Sequence, residues 1–213
     1  MIRAVFFDFG GVLLSSPFEA FERYERRIGV EPGTIRSLNS QNPDDNAWAR
    51  LERGESDVLT FVKEFEAEAA AAGVQLDGLE VIECLRGELR PEMVAALRVC
   101  SDNLITALLT NNFISGNPEW ASGGAFGELL DYFDVVVESS RIGFRKPEPE
   151  FYRVALEQAE VAPDEVVFLD DLGINLKPAR AMGMTTIKVD DPWAAIAELA
   201  RVTGLDLAGE TTG

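Results

Sequence analysis

The sequence contains no histidine and only two cysteines among its 213 residues. The absence of histidine excludes Ser-His-Asp catalysis, Cys-His catalysis and every histidine-ligated metal site. Cys84 and Cys100 lack the spacing of metal ligands, so we expect two free thiols in a reducing compartment. Any chemistry must therefore use carboxylates, hydroxyls, amides, lysine, arginine or a hard metal ion.

Basic residues and long apolar runs are also scarce. The net charge is −18 at pH 7, which disfavours nucleic acid and anionic membranes because no basic patch displaces phosphate counterions. No apolar run approaches the ~20 residues that a membrane span requires. Asp8 and two glycines interrupt the N-terminal apolar stretch, unlike a signal peptide. We therefore expect a cytoplasmic location with no nucleic-acid or membrane partner; the sequence does not indicate the oligomeric state.

The most informative stretch lies near the N-terminus, where four apolar residues precede Asp8 and two glycines follow Phe9. A short apolar run bounded by glycine is typical of a fully buried strand. An aspartate at the exit of such a strand lies where open α/β sheets bind ligands, and Gly10 and Gly11 allow backbone N–H groups to approach an anion. Taken alone, Asp8 is also compatible with a simple turn-stabilising role.

Residues 15 to 90 carry helical patterns and no strand signal. Pro17 lies near the first position of a helix that Gly29 ends, and Ser56 is the expected N-cap of a longer one. Two shorter helices are expected between them, from about Thr34 and over Trp48–Arg53. This pattern predicts a helical insertion.

From Pro91 onward, helices alternate with short apolar strands, which predicts an α/β fold with a parallel sheet. The strands are expected at residues 104–109, 133–137, 166–169 and 185–189, in addition to the first strand. We expect a discontinuous α/β core at residues 1–15 and 89–208, a helical insertion at 16–88, and a frayed tail at 209–213.

Polar side chains follow three of these strands: Asp8, the pair Thr110 and Asn111, and the pair Asp170 and Asp171. Lys146 lies in the loop that enters the helix after the third strand. Because the carboxyl ends of parallel strands share one edge of the sheet, these residues should meet in one crevice.

Carboxylates this close repel one another, so either one stays protonated or a cation joins them. With only oxygen ligands available, that cation would be Mg²⁺. A carboxylate beside a metal and a lysine is placed to attack phosphorus, and Mg²⁺ and Lys146 would offset the repulsion between the two anions. Thr110 and Asn111 would donate hydrogen bonds to the phosphoryl oxygens.

Four segments in this order resemble the four motifs of the haloacid dehalogenase (HAD) superfamily: Asp8-Phe9-Gly10-Gly11-Val12, Leu109-Thr110-Asn111, Lys146-Pro147 and Phe168-Leu169-Asp170-Asp171. The runs from Arg145 to Tyr152 and from Asp170 to Arg180 resemble the subfamily that contains the N-terminal phosphatase domain of soluble epoxide hydrolase. The resemblance implies a Rossmann-like core with a helical cap inserted after the first motif.

The resemblance also implies roles. Asp8 would be the nucleophile, Thr110 and Asn111 would bind phosphate, and Lys146 would steady both phosphate and nucleophile. Asp171 would ligate Mg²⁺ together with Asp8 and the backbone carbonyl of Gly10. Asp170 and Asn175 would lie next to these ligands and hold them in place without binding the metal. The substrate would be a small phosphate ester.

One departure from the family pattern matters. The usual second aspartate of the first motif, which protonates the leaving group, is replaced by Gly10. General acid catalysis contributes roughly 10²–10⁴-fold, so turnover should fall unless water, a cap residue or a good leaving group compensates. Two alternatives follow: a metal-independent 2-haloacid dehalogenase, whose leaving halide needs no proton, and a non-catalytic protein that binds phosphate esters.

Several side chains allow both a functional and a structural interpretation. Trp48, Arg50 and Arg53 could face the site from the cap, or could be core and surface residues. Lys177 could neutralise the acidic pair or lie at the surface. Phe113 and Trp120 could line a substrate pocket or pack under the cap.

Overall fold

In the computed structural model, which describes residues 1–111 and 125–207, five strands form one parallel sheet. They are β1 (Ala4–Phe7), β2 (Ile105–Thr110), β3 (Val135–Glu138), β4 (Val166–Asp170) and β5 (Thr185–Lys188). Their order across the sheet is β3-β2-β1-β4-β5, and the predicted parallel α/β fold is therefore confirmed.

Helices cover both faces of this sheet because side chains alternate along each strand. Val5 and Phe7 point into a core shared with α6 and the C-terminal helix, whereas Ala4 and Phe6 point into a core shared with the helices that flank β4. The helices of this part are α6 (Pro91–Ser101), α7 (Ala125–Leu130), α8 (Ser139–Ile142), α9 (Pro149–Gln158), α10 (Gly173–Met182) and α11 (Pro192–Thr203).

The insertion is helical, as its sequence predicts. It comprises α1 (Pro17–Ile28), α2 (Thr34–Asn39), α3 (Ala47–Glu52), α4 (Val58–Ala71) and α5 (Gly78–Glu83). Phe21, Trp48, Phe61 and Phe65 form the centre of a separate apolar cluster in this segment. We call residues 16–88 the cap segment; its boundaries remain a prediction.

The chain leaves the α/β core and returns to it at one place. Leu14 pairs with Leu89 in an antiparallel bridge, and the backbone N–H of Ser15 donates to the carbonyl of Glu88 at 2.8 Å. The Ser15 hydroxyl accepts from the Glu88 N–H at 3.0 Å. These contacts hold together the two chain connections at which the proposed cap segment begins and ends.

One local prediction is wrong. Ser56 does not cap α4; Asp57 does, and its carboxylate accepts from the Thr60 N–H at 2.7 Å. The sequence analysis also did not identify the short helix α5, which Asp77 caps and where the Tyr24 hydroxyl accepts from the Asp77 N–H. That second contact comes from α1, 53 residues earlier, so local sequence does not reveal it.

Candidate active site

Strand order places the predicted residues at adjacent positions. β1 is the central strand, and β2 and β4 pair with it on either side, so that Phe7 lies level with Leu108 and Leu169. The next residue, Asp8, therefore lies at the carboxyl ends of all three strands, and its N–H donates to the Leu169 carbonyl at 2.9 Å.

Lys146 joins these ends through its ammonium group. Lys146 Nζ lies 2.7 Å from Asp8 Oδ1 and 2.8 Å from Asp170 Oδ2, and it donates to the Leu109 carbonyl at 3.0 Å. The side chain is 2% exposed. Since an ammonium has three donors, these acceptors match its full capacity, and β1, β2 and β4 are tied to one buried charge.

Burial and neighbouring charges shift the pKa values of Asp8 and Lys146. Burial raises the pKa of Asp8 well above its usual range; Lys146 opposes this, whereas the charges of Asp170 and Asp171 add to it. Burial alone would lower the pKa of Lys146, but Asp170 and Asp8 raise it above its ordinary value. The ammonium is therefore held charged beside carboxylates that repel one another.

The Asp170 carboxylate is held by several hydrogen bonds. It is fully buried, and besides Lys146 it accepts from the Leu172 N–H at 2.8 Å and from Asn175 Nδ2 at 3.1 Å on both oxygens. The Tyr152 hydroxyl donates to the Asn175 carbonyl at 2.6 Å. Asp170 thus holds the Lys146 ammonium, and Asn175 holds Asp170.

Asp171 has a different environment from its neighbour. It is only partly buried and lines the cavity, and burial together with the charge of Asp170 raises its pKa to about 6. Oxygen atoms of Asp8, Asp170 and Asp171 lie within 4.8 Å of one another. Three clustered carboxylates are a donor set that fits Mg²⁺, and because Asp170 is already hydrogen-bonded, Asp8 and Asp171 are the better candidates to hold it.

The two glycines of the first motif differ in conformation. Gly11 has φ +75°, and a Cβ there would lie 2.2 Å from Asp171 Oδ2, so only glycine fits beside this carboxylate. Gly10 has φ −68° and ψ 134°, which other residues also adopt, and it lines the cavity. Arg90 Nη1 donates to the Gly11 carbonyl at 2.7 Å and so anchors the turn.

Thr110 and Asn111 lie at the predicted end of β2, and both line the cavity. The Asn111 side chain is engaged elsewhere: its Oδ1 accepts from the Lys146 N–H at 2.8 Å and its Nδ2 donates to the Lys146 carbonyl at 3.0 Å. The same Nδ2 donates to Glu52 Oε2 at 3.2 Å. A phosphate contact by Asn111 would therefore use its backbone, unless one of these bonds breaks.

The sequence analysis missed Glu52 and Arg145 as members of the site. Glu52, the last residue of α3, pairs with Arg145 Nη1 and lines the cavity. Burial raises the pKa of Glu52, against the opposing charges of Arg145 and Lys146. Arg145 stands next to Lys146 in the chain, but nothing in the spacing of Glu52 indicates that α3 ends at the site.

A cavity of about 610 Å³ lies between the strand ends and the cap segment. Its cap wall includes Phe18, Phe21, Trp48 and Leu85, together with Arg36. Trp48 is both a core and a lining residue, since it is 7% exposed and its ring centroid lies 4.7 Å from that of Phe61.

Arg50, Arg53 and Lys177, which the sequence left open, do not line the cavity. Arg50 pairs with Asp45 and Glu64, and Arg53 with Glu55 and Glu148. Lys177 is exposed. Cys100 belongs to the buried core, and Cys84 is partly buried. Phe113 and Trp120 fall outside the described residues.

A parallel sheet with a carboxylate cluster and a buried lysine at its carboxyl edge defines a class of α/β hydrolytic enzymes. The model of the haloacid dehalogenase-like hydrolase family matches residues 2–183. The chain belongs to this family and is a HAD-like hydrolase.

Relatives of known name extend this assignment. The chain is 37% identical over 212 residues to acyl-CoA dehydrogenase family member 10 of Mus musculus and 33% identical over 219 residues to bifunctional epoxide hydrolase 2 of Sus scrofa. These matches cover 96% and 97% of this chain but only 19% and 40% of those proteins. The match to bifunctional epoxide hydrolase 2 confirms the predicted subfamily resemblance. D-ribitol-5-phosphate phosphatase of Bacteroides thetaiotaomicron is 26% identical, and the match covers 90% of this chain and 93% of that one.

Solved structures confirm the fold. A HAD-like hydrolase of Porphyromonas gingivalis superposes with a TM-score of 0.74 at 25% identity, over 97% of this chain and 100% of that one. A HAD family enzyme of Bacteroides thetaiotaomicron, crystallised with magnesium and inorganic phosphate, superposes with a TM-score of 0.64 at 21% identity, over 91% and 98% of the two chains.

Proposed function

We propose that this chain is a Mg²⁺-dependent phosphatase that hydrolyses a small phosphomonoester through an aspartyl-phosphate on Asp8. The observation that carries the proposal is the position of Lys146 Nζ, 2.7 Å from Asp8 Oδ1 and 2.8 Å from Asp170 Oδ2 at the floor of the cavity. A buried cation beside a carboxylate nucleophile stabilises the charge that develops when that carboxylate attacks a phosphoryl group.

The metal would be held by the carboxylates of Asp8 and Asp171 and by the backbone carbonyl of Gly10. When bound, Mg²⁺ would neutralise charge on the phosphoryl oxygens and so permit an anion to approach an anion. The cluster of three carboxylates supports this choice, because Lys146 alone cannot balance them.

The reaction has two steps for which the chain supplies groups. An oxygen of Asp8 forms a bond to phosphorus while the bond from phosphorus to the ester oxygen breaks, and the departing alkoxide takes a proton from water. Water then attacks phosphorus while the bond from phosphorus to the Asp8 oxygen breaks, which regenerates the Asp8 carboxylate and releases inorganic phosphate. The proton that this water loses neutralises the hydroxide left when the alkoxide was protonated. Thr110, at the end of β2, would hold the phosphoryl oxygens. The Lys146 ammonium would favour the ionised form of Asp8 and orient its carboxylate.

The relatives support phosphoryl transfer without defining the substrate. A phosphatase of ribitol 5-phosphate matches nearly its whole length to this chain, and a related fold has been crystallised with magnesium and phosphate. We infer that the organic part of the ester lies in the cavity against the cap segment, and that the free small molecule, rather than a macromolecule, is the partner.

Gly10 favours a second candidate function. A 2-haloacid dehalogenase would use Asp8 to displace halide from carbon, which needs neither metal nor a proton donor. The presence of Asp171 beside Asp8 argues against it, because an uncompensated second anion would hinder the attack. A non-catalytic role in binding phosphate esters is the third possibility, and the retention of Asp8, Lys146 and Asp171 argues against it.

The test is a panel of phosphomonoesters and 2-chloropropionate, assayed with Mg²⁺ and with EDTA, using the wild type and the Asp8→Asn variant. We expect phosphate release only from wild-type protein with Mg²⁺. Chloride release that persists in EDTA would establish the dehalogenase instead, and ester binding without release of either ion would establish the non-catalytic role.

A further inference from the structure

Glu52 is the point at which the cap segment enters the catalytic group. It ends α3, and its side chain is 21% exposed against 16% for Arg145, with which it forms an ion pair. Its Oε2 also accepts from Asn111 Nδ2 at 3.2 Å. A single carboxylate of the cap segment thus contacts two residues of the α/β core.

Both partners of Glu52 are attached to Lys146. Asn111 is bonded to the N–H and to the carbonyl of Lys146, at 2.8 and 3.0 Å. Arg145 precedes Lys146 in the chain, and its N–H donates to Glu148 Oε2 at 3.2 Å. The backbone of Lys146 is therefore held by the Asn111 side chain and follows directly on Arg145, and Glu52 contacts both of those side chains. The Lys146 Nζ lies between Asp8 and Asp170.

We propose that Glu52 is a positioning residue through which the cap segment sets the place of Lys146 beside Asp8. The inference rests on the proposed function, since it concerns the reaction that Lys146 assists. With Glu52 in place, the Asn111 side chain that bonds the Lys146 backbone is fixed, and so is the side chain of the preceding residue, Arg145. Without it, Asn111 loses a partner and the Arg145 guanidinium loses its counter-ion, so the backbone around Lys146 gains freedom.

A cavity-lining carboxylate on the cap side could instead replace the proton donor that Gly10 cannot supply. The geometry favours positioning, because Glu52 Oε2 already accepts hydrogen bonds from Arg145 Nη1 and from Asn111 Nδ2. These two bonds hold that oxygen against residues of the core. The two roles differ in their dependence on the leaving group.

The experiment compares Glu52→Gln and Glu52→Ala with wild type, on p-nitrophenyl phosphate and on an alkyl phosphate, in Mg²⁺. Glu52→Gln keeps the shape of the side chain and removes its charge. Glu64→Gln is the matched control, because Glu64 lies on the same segment and pairs with the partly exposed Arg50. We expect kcat to fall about 10- to 100-fold for both esters alike, because a displacement of about 1 Å in a catalytic group has this effect. KM should change by less than about threefold, and Glu64→Gln should match wild type.

A second variant tests whether the residues act as one unit. Arg145→Met combined with Glu52→Gln should be no slower than the slower single variant, because partners in one network are not additive. Variants of Glu52 that fold and turn over at the wild-type rate would overturn the proposal. A loss confined to the alkyl phosphate would also overturn it, since that result identifies a proton donor. If the wild type itself released no phosphate, the proposed function would fail first, and that outcome is distinct from either.

Discussion

Gly11 is the residue at which the backbone of the first motif is most constrained. Its φ of +75° already favours glycine, and Asp171 Oδ2 occupies the space that a Cβ would need. The neighbouring Gly10 has no such backbone requirement. Glycine in place of the family's usual aspartate therefore removes a proton donor, and the backbone conformation does not require it. At this scale the sequence drew attention to both glycines, while the reason for glycine at position 11 came only from its φ and from the position of Asp171.

The substitution Gly11→Ala should therefore displace Asp171. Gly29→Ala is the matched control, because Gly29 has φ +77° but nothing within 4 Å of its Cβ position. We expect Gly29→Ala to lower the free energy of unfolding by about 1 kcal/mol, from backbone strain alone, and Gly11→Ala by roughly 2–4 kcal/mol. Urea unfolding measures both, and Mg²⁺-dependent turnover should be lost only in Gly11→Ala. Equal effects of the two variants would contradict the crowding at Asp171.

The pKa of Asp171, raised by burial to about 6, predicts how stability depends on pH. Since the folded protein holds this proton more tightly than the unfolded chain, with its ordinary value of 3.8, the metal-free protein should lose stability as pH rises from about 4 to about 7. Across that range, Asp171→Asn should gain roughly 1–3 kcal/mol in unfolding free energy relative to wild type.

Urea unfolding in EDTA at a series of pH values measures the difference in unfolding free energy between Asp171→Asn and wild type. Contributions that other carboxylates make equally in both proteins cancel in this difference. The difference should shrink when Mg²⁺ is added, because the metal compensates the charge of Asp171 in the wild type. A difference between the two proteins that stays constant with pH would contradict the environment described for Asp171.

At the scale of elements, proline and glycine gave the firmest predictions. Pro17, Pro91 and Pro192 occupy the first turns of α1, α6 and α11, as their fixed φ favours. Strand ends shifted by one or two residues, and the helix α5 was missed because its support comes from Tyr24 on α1. The convergence of Asp8, Lys146 and Asp171 followed from the parallel sheet. The contact of Glu52 with Arg145 did not, because it depends on how α3 packs against the core.

Asn46 is expected to be the critical cap of α3, the helix that carries Glu52. It is buried; its Oδ1 accepts from the Ala49 N–H at 2.8 Å, and its Nδ2 donates to the carbonyls of Asn39 and Gln41. Asn46→Ala should lower the unfolding free energy by about 1–3 kcal/mol, because it leaves buried groups unpaired.

Ser56→Ala is the control for this substitution, since the buried Ser56 hydroxyl has no hydrogen-bond partner within the described residues. It should change stability by less than about 0.5 kcal/mol. Thermal or urea unfolding of the two variants checks the pair of expectations. A larger loss from Ser56→Ala than from Asn46→Ala would restore the sequence-based view that Ser56 is a helix cap.

At the scale of the whole molecule, the site lies where two separately packed parts meet. Two apolar clusters flank the sheet and a third fills the cap segment, and the cavity draws its wall from both sides of that junction. Among the described residues, no helix has the length and apolarity to cross a bilayer. The family could be recognised from four motifs, but the shape of the cavity could not, because it depends on contacts between helices far apart in the chain.

The most direct test of the central claim is the binding of beryllium fluoride, which mimics a phosphoryl group bonded to a carboxylate, followed by ¹⁹F NMR. With Mg²⁺ present, wild-type protein should give a bound fluoroberyllate signal that inorganic phosphate displaces. Asp8→Asn, and wild-type protein in EDTA, should give none. A bound signal of equal strength in Asp8→Asn, or one that persists without Mg²⁺, would contradict the assignment of Asp8 as the residue that carries the phosphoryl group beside a divalent ion.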